Sequence, residues 1–251
     1  MFIRDRIHPY EENQYDLYDG TLRNKRVFRP DETLDFGGVG HIPAGEFIGA
    51  GVWQLYKAID SPYKSVLKIL LTEVYAAEYP HVEPLSTSFK RAIYNNQLDI
   101  DELDPYVVVY RKLESYLLAR EEFERLELVR RCFYFKVGKS LTRSTRETSK
   151  SWQRRLMEKL VGQWNWSGAH LYSLDAHNKW KVARVIEEQK QIVRELTNSY
   201  RFVLEFARRT RATAMINSQE MTILGRKLYA AFERKAGKIE WINPGIADSL
   251  V

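Results

Sequence analysis

The sequence is poor in the residues that usually announce a function. It has one cysteine, Cys132, set in an apolar run, so no disulfide can form within the chain. That fits a reducing compartment, and the expected location is the cytoplasm. No apolar run approaches the roughly 20 residues of a membrane-spanning helix, so no such span is expected. No signal peptide is evident either, since the start, MFIRDR, is charged. The five histidines, His8, His41, His81, His170 and His177, show no metal-ligand spacing. No Ser-His-Asp or Cys-His set can be assembled, and there is no internal repeat or low-complexity tract. Glycines crowd the stretch from 29 to 45, but their spacing is neither G-x-G-x-x-G nor G-x-x-x-x-G-K. The stretch therefore reads as a plain turn rather than a phosphate cradle.

A strong charge of one sign is also missing. The 251 residues carry 39 Lys and Arg against 33 Asp and Glu, a formal net charge of +6, with a pI near 9.2. Hydrophobic residues make up 44% and charged residues 29%, a globular rather than a disordered composition. The length suffices for one large domain or two small ones. A modest basic excess suits a polyanionic ligand, nucleotide or nucleic acid. The basic residues are spread along helices and no aromatic–basic groove can be located, so single-stranded nucleic acid ranks last as a partner.

What the sequence does have is helical periodicity. The stretch from Ile42 to Tyr79 reads as two helices broken once, at Asp60-Ser61-Pro62. The first is expected to turn Phe47, Ile48, Val52, Trp53 and Tyr56 towards a core. The second places Tyr63, Leu67, Leu70 and Val74 on one face, widened by Val66 and Ala77. Ile69 and Leu71 extend beyond both edges of that face. A narrow polar strip of Lys64, Lys68, Thr72 and Tyr75 is left. A helix so wrapped in apolar residues is usually buried. Its lysine pair then faces either a thin window of solvent or a polar ligand. Ser61 or Asp60 is placed to cap this helix, and Pro62 suits its first turn. Free amides there, with Lys64, would make a donor-rich positive end suited to phosphate. The plain alternative is an ordinary helical pair with solvated lysines.

Other helices are expected at 9–27, 85–96, 105–119, 121–141, 149–163 and 218–235. The longest runs from Lys179 to Arg211, with Val182, Ile186, Val193, Leu196, Tyr200, Val203 and Ala207 in one stripe. Residues 238–242 alternate as a short strand would, and the polar run 141–150 reads as an exposed loop. Asp99-x-Asp101 has the spacing of a two-metal carboxylate pair. It follows a helix rather than a Gly-Ser turn, which argues against that role. Asp104 before Pro105 reads as a helix cap. Arg130, Arg131 and Lys136 could reach phosphate or pair with nearby glutamates, with pairing the expected outcome, and Ser167 is placed to cap a helix. The fold class is mainly α: a multi-helix domain with at most a short strand near the C-terminus.

The run Glu46-Phe47-Ile48-Gly49-Ala50-Gly51-Val52-Trp53-Gln54-Leu55-Tyr56-Lys57, continuing through Asp60-Ser61-Pro62-Tyr63-Lys64, resembles the signature of the class I adenylate cyclases. Phe47, Ile48 and Val52 are conservative departures from it. The likeness extends through Leu103-Asp104-Pro105-Tyr106, Leu126 to Tyr134, Ser199-Tyr200-Arg201, Arg226 to Glu233, and Ile242 to Ile246.

The resemblance implies conversion of ATP to cyclic AMP and diphosphate, by metal-assisted attack of the 3′-hydroxyl on the α-phosphate. Residues 7–251 would be the helical portion of a nucleotidyltransferase-like catalytic region, and residues 1–6 a non-native leader. A sheet upstream would carry the catalytic carboxylates and the Mg (or Mn) ions. A region downstream would answer to a phosphotransferase-system regulatory protein. The substrate contacts expected here are Ser61, Lys64, Lys68 and Lys57, with Tyr63 or Tyr56 either against the base or, more simply, packed in the core. The rival expectation is a non-catalytic helical binding or scaffold module.

Overall fold

The computed structural model describes residues 42–94, 104–143, 151–212 and 226. The helix expected at 9–27, most of the one at 218–235, the strand at 238–242, Asp99 and Asp101 lie outside these residues. So does most of the glycine-rich loop. Among the described residues there are eight α-helices and no strand. They are α1 (Ala44–Lys57), α2 (Pro62–Glu78), α3 (Leu85–Tyr94), α4 (Pro105–Ala119) and α5 (Phe123–Val137). They continue as α6 (Trp152–Gln163), α7 (Gly168–Asp175) and α8 (Val182–Arg209), with a single 3₁₀ turn at His177–Lys179 before α8.

Local chemistry sets the helix ends. Pro62 and Pro105 occupy first-turn positions, where a missing N–H costs nothing. The Asp104 carboxylate accepts from the amides of Tyr106 at 2.8 Å and Val107 at 3.3 Å, the cap read from sequence. Ser167 likewise accepts from the His170 amide at 3.1 Å. α5 stops at Gly138, whose φ of 66° is the left-handed conformation that glycine adopts without strain. The start of α2 departs from expectation. Ser61 sits at the cap position, but neither its hydroxyl nor Asp60 caps the helix. The turn is closed by backbone alone, the Ser65 amide donating to the Ser61 carbonyl at 3.0 Å.

α2 is the packing centre: α1, α4, α5 and α8 all lie against it. Val66, Leu67, Ile69, Leu70 and Val74 are fully buried. The apolar face is wider than spacing suggested, because Thr72 and Tyr75 are buried too. Ala77 instead falls on the exposed side. In α1 the inward face is Phe47, Ile48, Gly51, Gln54 and Leu55. Trp53 and Tyr56, expected inside, are 48% and 39% exposed and stack on each other at 5.9 Å. The α1 stripe runs through positions 47, 51, 54 and 58, and that register turns 53 and 56 outward.

Two hydrophobic clusters result. The larger joins α2, α4, α5, α6 and α8. The smaller gathers Ile42, Phe47, Ile48, Tyr75, Leu85, Val203 and Phe206, with Phe47 edge-on to Tyr75, Tyr79 and Phe206. α8 faces both. Its buried apolar residues are Val185, Ile192, Leu196, Val203, Phe206 and Ala207, and the same face buries Glu188, Gln189, Glu195 and Ser199. No described helix is long and apolar enough to cross a membrane.

Candidate functional site

At the junction of α1, α2, α3 and α4 lies a cavity of about 130 Å³. α1 contributes Glu46, Phe47, Ala50 and Gln54, and α2 contributes Lys68, Leu71, Thr72 and Tyr75. The start of α3 adds Leu85 and Ser86, and the start of α4 adds Tyr106 and Val109. Most of the wall is apolar. The Tyr75 hydroxyl accepts from the Leu85 amide at 2.9 Å, which holds the start of α3 against α2. The Thr72 hydroxyl is spent on the Lys68 carbonyl at 3.1 Å.

Several polar groups at this cavity have no partner among the described residues. Gln54 is only 4% exposed, yet its carboxamide makes no hydrogen bond among the described residues. The Ser86 hydroxyl oxygen is enclosed and equally unpaired. Lys68 is half-buried and meets no carboxylate among the described residues. Its charge is felt by Tyr106, whose phenol burial pushes above its ordinary pKa while Lys68 pulls the other way. A second cation, Lys136 of α5, sits 4.3 Å from the Tyr106 ring centroid. Apolar walls with a few convergent polar groups are the usual character of a small-ligand site.

The residues expected to bind substrate are not all brought together. Lys64 and Lys68 lie one turn apart on α2, Lys64 exposed and Lys68 at the cavity. Ser61 is exposed at the same end of the helix. Lys57 is committed to a cation–π contact, 5.0 Å from the Trp53 ring centroid. Tyr63 turns the other way: its ring packs on Phe135 at 4.6 Å, and burial raises its phenol pKa, with Glu188 adding to the effect. Gln54, Ser86 and Tyr106 were not singled out by sequence reasoning. Gln54 did carry a signal, as a lone amide on the apolar stripe of α1.

The other basic residues are accounted for. Arg130 approaches Glu114 and Glu127 at 3.6 and 3.7 Å, and Arg131 approaches Glu188 at 3.3 Å, as expected. Among the described residues Lys136 pairs with no glutamate and instead rides on Tyr106. Arg125 lies in a polar cleft of about 230 Å³, yet it is saturated by Glu73, Glu122 and Glu195. The larger cleft is thus a closed ion cluster, and the smaller cavity is the better candidate site. No cluster of three or more His, Cys, Asp or Glu among the described residues is placed to hold a metal.

The described residues form an all-helical domain with a cation-edged, largely apolar cavity. Residues 42–243 match the family described as adenylate cyclase, class-I, second domain, and the chain belongs to that family. It is 42% identical to the adenylate cyclase of Escherichia coli (strain K12) over 240 residues, which is 96% of this chain and 28% of that protein. The adenylate cyclases of Salmonella typhimurium (strain LT2) and Proteus mirabilis are 41% and 39% identical, over the same shares of each chain. The chain therefore spans little more than a quarter of the length of these relatives. No solved structure matches it.

Proposed function

We propose that this chain is the nucleotide-gripping part of an adenylate cyclase, acting on ATP through Lys64 and Lys68. In the reaction the 3′-oxygen of ATP bonds to the α-phosphorus and loses its proton. The bond from that phosphorus to the bridging oxygen breaks, and diphosphate leaves with cyclic AMP as product. Divalent metal, Mg or Mn, would neutralise the charge that develops on the phosphates. The described residues offer no carboxylate set for such ions, so no metal step is assigned to them. Their contribution is binding.

The observation that carries this reading is half-buried Lys68, without an acidic partner among the described residues, one turn from an exposed Lys64. A cation at the edge of an apolar cavity is less screened than one in open water, so it attracts an anion more strongly. Lys68 and the exposed Lys64 share one helix face, about 5–6 Å apart at Cβ, a spacing that matches adjacent phosphates. Ser61, at the same helix end with its hydroxyl uncommitted to capping, is a further donor. Tyr63 is left out because its ring is packed on Phe135.

The test is Lys64→Ala and Lys68→Ala in the full-length protein. A charged hydrogen bond contributes about 1.5–3 kcal/mol, so each variant is expected to raise the KM for ATP by roughly 10- to 100-fold. Circular dichroism would check that folding is intact. Wild-type KM and cyclic AMP production in both folded variants would move the phosphate grip elsewhere.

A further inference from the structure

The cavity beside Lys68 is the wrong kind of place for a triphosphate. Its walls include Phe47, Leu71, Tyr75, Leu85 and Val109, and Glu46 lies at its edge. A phosphate entering it would lose its water and meet a carboxylate of like charge. Its volume, about 130 Å³, is also small. Apolar cavities of about 150 Å³ take up a single benzene-sized ring. A single six-membered ring can therefore enter, with any fused ring and the charged remainder of the ligand at the mouth.

The unpaired polar groups narrow the choice of ring. A buried carboxamide that makes no hydrogen bond among the described residues is available to a ligand that pairs with it. A carboxamide offers one donor and one acceptor side by side. Adenine presents the complement, an amino donor at N6 beside an acceptor nitrogen at N7 or N1. The enclosed Ser86 hydroxyl can bond a second ring nitrogen. Glu46, unfavourable to a phosphate, is compatible with an amino group. Lys68 then stands where the base-binding cavity meets the proposed phosphate-binding face of α2.

We propose that this cavity receives the adenine base of the nucleotide and that the Gln54 carboxamide reads its amino-bearing edge. The inference rests on the nucleotide reading of Lys64 and Lys68 and adds to it a base-specificity residue. Gln54 touches the base but none of the reacting atoms. Its loss therefore changes discrimination between bases, whereas loss of a lysine weakens all triphosphates alike.

The experiment compares kcat/KM for ATP and for purine riboside triphosphate, which lacks the 6-amino group, in the full-length protein. Wild type is expected to favour ATP by at least about 30-fold. Gln54→Leu should reduce kcat/KM for ATP by at least about tenfold and shrink the preference to within about threefold. Lys68→Ala should lower both nucleotides in step and leave the preference unchanged. A second variant, Ala50→Leu, fills the cavity from the α1 side without touching a polar group. It should raise the KM for ATP by at least about tenfold.

A folded Gln54→Leu that keeps the wild-type preference, or a folded Ala50→Leu that keeps the wild-type KM, would overturn the base assignment. If the lysine variants still raise KM in that case, the phosphate reading survives alone. If Gln54→Leu abolishes the preference while the lysine variants behave as wild type, the base site stands and the phosphate grip is wrong. Where Gln54→Leu does not fold, Ala50→Leu decides.

Discussion

At the scale of single residues, the partners of each cation separate structural from functional roles. Arg125 is the clearest structural case. Its Nε lies 3.1 and 3.0 Å from the two Glu195 oxygens, and its terminal nitrogens lie 3.0 and 2.8 Å from those of Glu73. It also bonds Glu122. Burial alone would lower the Arg125 pKa, but the bonds to Glu195 and Glu73 outweigh it and hold the charge in place. Tyr116 and Ser199 donate to the same Glu73 at 3.3 and 3.1 Å, so α2, α4, α5 and α8 meet in one network. Burial, with Glu73 beside it, pushes the Tyr116 phenol up to about 12, and it stays a donor at any ordinary pH. Removing the arginine would strand Glu73 and Glu195, each only 3% exposed. Arg125→Met is therefore expected to cost about 3–5 kcal/mol, measured by urea denaturation of the chain. A loss below about 1 kcal/mol would mean that the carboxylates reach water without it. Lys68 has no such partners, and no comparable loss of stability is expected from Lys68→Ala.

At the scale of elements, α1 shows how one helix serves packing and site together. A Cβ added at Gly51 would meet both Val203 methyl carbons at 3.2 Å, so glycine is what lets α1 lie close to α8. A Cβ at Gly49 would meet nothing within 4 Å. The two glycines should therefore respond oppositely. Gly49→Ala is expected to raise stability by about 0.5–1 kcal/mol through reduced backbone entropy. Gly51→Leu is expected to lower it by about 1–3 kcal/mol through overpacking. Thermal melts of both variants check this, and a neutral Gly51→Leu would show that α1 can slide off α8. The register of α1 was only half legible in the sequence. Phe47 and Ile48 announced the buried face, but the large rings of Trp53 and Tyr56 pulled the inferred face towards them. Aromatic size marks burial poorly when a helix also carries a surface stack. Helix positions were more readable, because Pro62, Pro105, Asp104 and Gly138 are local signals that act within one turn. The buried face of α8 was obscured because Glu188 and Glu195 look like solvent-facing charge until their arginine partners on α5 are placed beside them.

At the scale of the whole molecule, the helices are unequal in how deeply they are tied in. α2 is enclosed by four neighbours and shares the Arg125 network, whereas α3 packs on α4 and is joined to α2 by a buried bond from the Leu85 amide to the Tyr75 hydroxyl. The candidate cavity lies between these two elements. Its location could not be read from the sequence, because Gln54, Lys68, Ser86 and Tyr106 meet only through long-range packing. The lysines were visible and the cavity beside them was not. This inequality has a measurable consequence. Amides in the middle of α2 can exchange only when the domain opens globally, whereas the start of α3 can open alone. Tyr75→Phe removes the acceptor of the Leu85 amide while keeping the ring against Phe47. One lost hydrogen bond is worth about 1 kcal/mol, so exchange at Leu85 should accelerate roughly fivefold. Exchange from Leu67 to Val74 should stay at the wild-type rate. If the α2 amides speed up equally, α3 is not a separate unit, and the cavity opens only when the whole domain does. If Leu85 alone responds, the cavity has a wall that moves independently of the core, and a flat ring can enter without disturbing the helices that hold Lys64 and Lys68.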